Sequence, residues 1–133
     1  DISRGGYVVY GDSSNPDAII IATGSEVSIS VSAAEQLKIK GINIRVISMP
    51  CQEVYERQTL AYKNKCIPKN IDNILAIESG IGDSWHKFVG KKGAMISMES
   101  FGLSGTGRDV MNYFGFSVSN IKKNINKLIK KNR

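Results

Sequence analysis

The chain has 133 residues, 41% of them hydrophobic and 23% charged, with a formal net charge of +6. That size suits one domain with a core large enough to fold without a metal or a disulfide. No apolar run approaches the ~20 residues of a membrane span, so no membrane is expected as a partner.

The charge is local. The last 13 residues hold six of the 18 basic side chains and no acidic one. Residues 1–120 therefore carry twelve of each sign and are neutral. The excess describes a tail, not a basic face spread over the fold. Cys51 and Cys66 make no disulfide scaffold and fit no metal spacing, and a reduced, cytoplasmic setting is the default. The opening DISRGGYVVY lacks a basic start and an apolar segment, so no signal peptide is expected. Without an initiator Met it reads as a chain entered midway.

In chain order, Tyr7–Tyr10 is a short β-prone run. Gly11-Asp12-Ser13-Ser14-Asn15-Pro16 is a turn. It permits a hairpin without demanding one. Ala18–Ala22, AIIIA, shows no polar alternation and predicts a strand buried on both faces. Thr23 with Glu26 fits a capping box, and Ser25 is a second candidate cap. The next stretch is divided, since Val27–Ser32 alternates like a strand while Ala33–Lys38 favours helix. Gly41 is a good helix stop, so the prediction is a helix over 26–40, with Val27, Val31, Ala34 and Leu37 on its inner face.

Residues 42–49, INIRVISM, predict a strand with Arg45 on the polar side, ended by Pro50. Residues 51–70 predict helical stretches with Val54, Gln58 and Ala61 on one face. Strands follow at 74–77 and 94–98, with a Gly-rich loop at 78–83 and a short helix around Trp85. A second Gly/Ser loop covers 99–107, and a short helix covers 108–114. The terminal helix, in the segment 118–133, has Ser117 or Ser119 as its cap. Val118, Ile121, Ile125, Leu128 and Ile129 form its apolar stripe.

Strands alternating with helices predict an open α/β sheet covered on both faces. Ligands of such sheets sit beyond the carboxyl ends of the strands. Three loops fall there, so Thr23, Gly24, Ser25, Ser79 and Gly80 are candidate anion contacts. An ordinary crossover turn is the blander reading. Gly80-Ile81-Gly82 is followed by Trp85 where a dinucleotide fingerprint needs a third Gly, and no Walker-type Gly-Lys-Ser/Thr occurs. His86 beside Asp83 and Glu78, and Cys51 after Pro50, have the right chemistry for a base and a nucleophile. Without assigned partners they read better as packed side chains. Arg108 suits a phosphate or a carboxylate, again without an assigned partner. Trp85 and Phe88 are candidate interface residues. The basic terminal helix has no interleaved aromatics, so it reads as a packed helix with a solvated face, and nucleic acid is not expected.

Several short segments occur in one order: Ala22-Thr23-Gly24-Ser25-Glu26-Val27, Val46-Ile47-Ser48-Met49-Pro50, and Glu78-Ser79-Gly80-Ile81 with Trp85, Val89 and Gly90. Ser100-Phe101-Gly102 and Phe114-Gly115-Phe116 complete the series. Together they resemble the C-terminal domain of transketolases, over about residues 5–128. The resemblance implies one domain over 1–133, a three-layer αβα sandwich with a five-stranded, mixed, mainly parallel sheet, in which Tyr7–Tyr10 is the antiparallel strand. Residues 1–5 would link to an upstream domain. It also implies a parent enzyme, a cytoplasmic homodimer of the pentose phosphate pathway. That parent moves a two-carbon ketol unit between ketose and aldose phosphates. In the family, thiamine diphosphate and Mg²⁺ (or Ca²⁺) bind between two larger domains that precede this one. The catalytic, cofactor and metal residues lie there too, and none maps onto this chain. A packing and dimer-interface role is thus implied, with a regulatory small-anion or nucleotide-binding module as the alternative. One departure is the loop at 101–107, where Gly-Thr replaces the family's Ala-Pro and loosens the backbone.

Overall fold

The computed structural model describes residues 2–11, 14–78, 85–97 and 117–133, with the side chains of Glu78, His86 and Ser97 set aside. Strands β1 (Tyr7–Tyr10), β2 (Ala18–Ala22), β3 (Ile44–Ser48), β4 (Ile74–Glu78) and β5 (Ala94–Ser97) pair in the order β1-β3-β2-β4-β5. β3, β2, β4 and β5 are parallel, with Ile20 opposite both Val46 and Leu75. β1 lies antiparallel against β3, with a bulge between Val8 and Tyr10. β1 and β2 are not neighbours, so the turn between them closes no hairpin.

The helices are α1 (Glu26–Ile39), α2 (Gln52–Glu56), α3 (Leu60–Cys66), α4 (His86–Val89) and α5 (Val118–Lys131). Successive strand residues point to opposite faces. Ile20, Ala22, Val46, Leu75 and Ile77 therefore meet α1 and α5 on one side. Ile19, Ile21, Ile47 and Ala76 meet Tyr55, Cys66, Trp85 and Val89 on the other. This is a three-layer α/β sandwich. All five residues of β2 are fully buried, which explains its unbroken apolar run. Each of its isoleucines contributes about 1.5–3 kcal/mol of burial, less the cost of ordering it.

Three sequence expectations need correction. Arg45 does not face water, and is only 7% exposed. Its Nη1 donates to the carbonyls of Lys65 and Cys66, both at 2.9 Å. These are among the last carbonyls of α3, which lack helical partners and sit at the negative end of the helix. The buried cation is thus a C-terminal cap supplied from the sheet. The inner face of α1 is rotated from the expected one: Glu26, Ser30, Ala33, Ala34 and Leu37 are buried, while Val27 and Val31 are half-buried. Ser30 enters the core because its hydroxyl donates to the Glu26 carbonyl at 2.7 Å. In 51–70, Tyr55 and Cys66 are the buried residues of two short helices; Val54 and Gln58 are half-buried, and Ala61 is exposed.

The helix ends follow local chemistry. Ser117 caps α5, its hydroxyl accepting from the Asn120 N–H at 3.2 Å. Thr59 caps α3 by accepting from the Tyr62 N–H at 3.1 Å. Gly5 holds φ at +80°, and a Cβ there would run into the Cys51 carbonyl and the Tyr55 N–H. Only glycine lets the entry to β1 pass so close to α2. Of the loop expected at 78–83, Glu78 instead ends β4 and the rest lies outside the described residues, as do the loop expected at 99–107 and the helix expected at 108–114. So do Ser79, Gly80, Asp83 and Arg108.

Candidate functional site

The sheet changes direction between β2 and β4: the crossover from β2 through α1 goes to β3 on one side, and β4 flanks β2 on the other. Beyond the carboxyl ends of β2 and β3 lies a cleft of about 320 Å³. It is lined by Thr23, Met49, Pro50, Cys51, Gln52, Glu53, Trp85 and Lys87. This is where the topology of an open α/β sheet places a ligand.

Of the expected loop Thr23-Gly24-Ser25, only Thr23 lines the cleft. Gly24 turns the chain with φ at +60°. The Glu26 N–H bonds to the Thr23 carbonyl at 3.3 Å, and the Val27 N–H to the Gly24 carbonyl at 3.2 Å. Two N–H groups at the start of α1 are therefore committed to the turn itself. The Ser25 hydroxyl makes no capping bond, and instead donates to a Glu26 carboxylate oxygen at 2.6 Å. Glu26 is 3% exposed, so a buried carboxylate sits where an incoming anion would need a positive field.

Cys51 is half-buried, and its thiol donates to the Glu53 carboxylate at 3.4 Å. The Glu53 carboxyl is held below its usual range, first by a backbone hydrogen bond within its own residue and then by the Cys51 thiol. A thiol donating to a carboxylate is not an activated nucleophile. The Lys87 ammonium pairs with Glu56 and lies 5.3 Å from the centre of the Phe88 ring. Trp85 is 2% exposed and tilts against Phe88, which meets Tyr55 edge-on, each pair 5.9 Å apart. The indole thus fills this chain's own core rather than forming an apolar patch, and Phe88 is half-buried. The side chain of His86 lies outside the described residues.

A Mg²⁺–diphosphate centre needs carboxylate and carbonyl oxygens gathered at one point. Among the described residues no three His, Cys, Asp or Glu side chains come together. The cleft's own acidic group, Glu53, is bound to a thiol. No chemical step follows from the described residues. Sequence reasoning did not find the ordering contacts around the cleft. The Tyr62 hydroxyl donates to the Gly6 carbonyl at 2.7 Å, and Arg4 lies 4.6 Å from the Tyr62 ring centre. The Gly5-Gly6 pair was the one available signal that a backbone passes close by.

Fold and site together define a three-layer α/β domain with a polar cleft at its switch point and no assembled catalytic group among the described residues. A family profile described as "Transketolase-like TK C-terminal domain" matches residues 5–117, and the chain belongs to that family. It is 40% identical over 129 residues to "Transketolase 1" of Vibrio vulnificus (strain YJ016), covering 97% of this chain and 19% of that protein. It is 43% identical over 124 residues to "Transketolase 1" of Pasteurella multocida (strain Pm70), covering 91% of this chain and 19% of that one. Among solved structures, "Transketolase from Leishmania mexicana" superposes with a TM-score of 0.87 at 30% identity, over 98% of this chain and 18% of that one. The chain thus spans about a fifth of the length of the transketolases it matches.

Proposed function

We propose that this domain is the non-catalytic, structural and dimer-interface part of a transketolase. Its whole protein transfers a two-carbon ketol unit between ketose and aldose phosphates in the pentose phosphate pathway, as a cytoplasmic homodimer. When bound by the upstream domains, thiamine diphosphate with Mg²⁺ or Ca²⁺ supplies the carbanion chemistry. The observation that carries the reading is the match itself: 97% of the chain aligns with 19% of a transketolase, within the C-terminal domain family. The Thr23-Gly24-Ser25 segment then serves as a crossover turn, and the buried Glu26 beside it disfavours the alternative of an anion-binding module.

The test is a ketol-transfer assay with xylulose 5-phosphate and ribose 5-phosphate. This domain alone is folded by circular dichroism and turns over no substrate. A transketolase truncated before the domain loses dimer stability, and adding the domain back restores it. Turnover by the domain alone, or a truncated enzyme as stable and dimeric as the whole, contradicts the proposal.

A further inference from the structure

The amino-terminal edge of the sheet carries a second cleft, of about 430 Å³. Ile67, Ile71, Phe88 and Val89 form its apolar part, and Lys69, Lys91 and Lys92 stand around it. All three lysines are exposed. The end of α5 comes to the same place. Asn132 Nδ2 donates to Asn73 Oδ1 at 2.7 Å and to the Lys92 carbonyl at 3.0 Å. That clasp sets the exposed Lys130, Lys131 and Arg133 beside the Lys91–Lys92 turn.

Six cations thus share one edge. Asp72 and Lys87 also line the cleft, and Lys87 is paired with Glu56. Asp72 lies 3.7 Å from Lys92, and Asp17 accepts from the Asn43 N–H at 2.7 Å. The dipole of α5 accounts for basic residues in its last turn, Lys130 and Lys131. It does not account for Lys69, Lys91 and Lys92, which lie in turns. Like charges on one edge reinforce one another over the ~8–10 Å Debye length of physiological salt.

We propose that this edge docks an acidic peptide segment that carries one apolar side chain. The cleft takes the apolar group, and the lysines beyond it take the carboxylates. The basic surface runs past the cleft to the end of α5, which suits an extended chain rather than one small anion. Nucleic acid fits less well. Among the described residues Phe88 is the one aromatic lining the cleft, and its ring already meets Lys87, Tyr55 and Trp85, whereas single-stranded nucleic acid is held on successive aromatic faces.

Fluorescence polarisation with the whole protein that carries this domain tests the proposal. The probes are a labelled hexaglutamate interrupted by one Phe, the same peptide with Ala for Phe, and an oligothymidylate of equal charge. The Phe peptide is expected to bind about tenfold more tightly than the Ala peptide, the worth of one partly buried ring. K69E/K91E and K130E/K131E each weaken it by about tenfold or more, since each reverses two charges at the contact. The charge-matched K123E/K127E, further up α5, weakens it by less than about threefold, through screened long-range attraction only. Unchanged circular dichroism shows that each variant is folded. The proposal is overturned if the peptide does not bind or if Phe and Ala peptides bind alike. It is equally overturned if the oligothymidylate binds as tightly, or if the control variant weakens binding as much as the edge variants.

Discussion

On one face of the sheet, α1 and α5 lay Ala33, Leu37, Ile121, Ile125 and Leu128 over aliphatic strand residues. On the other, helices of five, seven and four residues set Tyr55, Cys66 and Val89 over the isoleucines, with Trp85 just before the last of them. The first face is held by two 14-residue helices, α5 through a periodic apolar stripe and α1 through small and aliphatic residues with Ser30 among them. The second is held by single directed bonds: Arg45 to the end of α3, Tyr62 to Gly6, and Tyr55 Oη to the Lys63 carbonyl at 3.3 Å. Short helices gain little from their own hydrogen bonds, so tertiary contacts must fix them. One sheet can thus be covered by two physically different strategies, and mutations should tell them apart.

The largest effect belongs to the aliphatic face. Leu37→Ala or Ile125→Ala removes a fully buried side chain and should cost about 2–5 kcal/mol by urea unfolding. A loss below ~1 kcal/mol would break the comparison by showing that this face is loosely packed.

Next comes the cation beneath α3. Arg45→Met keeps much of the volume but leaves the Lys65 and Cys66 carbonyls without their donor, and should cost about 2–3 kcal/mol. Ser30→Ala is the counterpart on the other face. Its hydroxyl bonds only to its own helix, so the change should stay within about 1 kcal/mol. If the two substitutions cost the same, directed bonding does not distinguish the faces.

Tyr62→Phe should cost about 1 kcal/mol for the bond to Gly6. It also carries a pH signature. Desolvation first, and then a hydrogen bond with Cys66, push the Tyr62 phenol up to about 12. A pKa raised in the folded state leaves stability intact below the ordinary tyrosine value near 10. Stability then falls as pH rises from there towards 12. Burial raises Tyr55 as well, so both tyrosines act in the same direction. Thermal melts between pH 9 and 12 should decline for the wild type and less steeply for Tyr62→Phe; parallel declines would remove Tyr62 as the cause.

The smallest effects are the caps. Thr59→Ala and Ser117→Ala each remove one side-chain acceptor and should each cost about 1 kcal/mol. A markedly larger loss at Thr59 would sharpen the comparison, because α3 has seven residues and α5 has 14.

The same contrast decides what could be read in the sequence. AIIIA declared a doubly covered strand, and Gly41 helped place the end of α1 within a residue. The stripe of α5 named three of its buried residues, Ile121, Ile125 and Leu128, with Ser117 as the cap. These are local signals, carried by periodicity and end chemistry. Arg45 was misread because alternation alone assigns a charge to water; its partners are 20 and 21 residues away. Ser30 was missed because a bond along its own helix hides its polarity. At the candidate site, topology pointed to the carboxyl edge, and Thr23 lines a cleft there. The expected Thr23–Glu26 capping box does not form: Ser25 precedes α1, Glu26 is its first residue, and no local pattern marks that carboxylate as buried. The basic amino-terminal edge was hidden for a related reason: Lys69 and Lys91 come together only around the folded cleft, and the end of α5 joins them through the clasp of Asn132 on Asn73 and Lys92.

The central claim is that these residues form a folded scaffold whose parent keeps its cofactor chemistry elsewhere. Isothermal titration of the 133-residue chain with thiamine diphosphate and Mg²⁺ tests it most directly. The account predicts heats no larger than dilution from a protein that still unfolds cooperatively. Saturable, Mg²⁺-dependent binding in the micromolar range would contradict it.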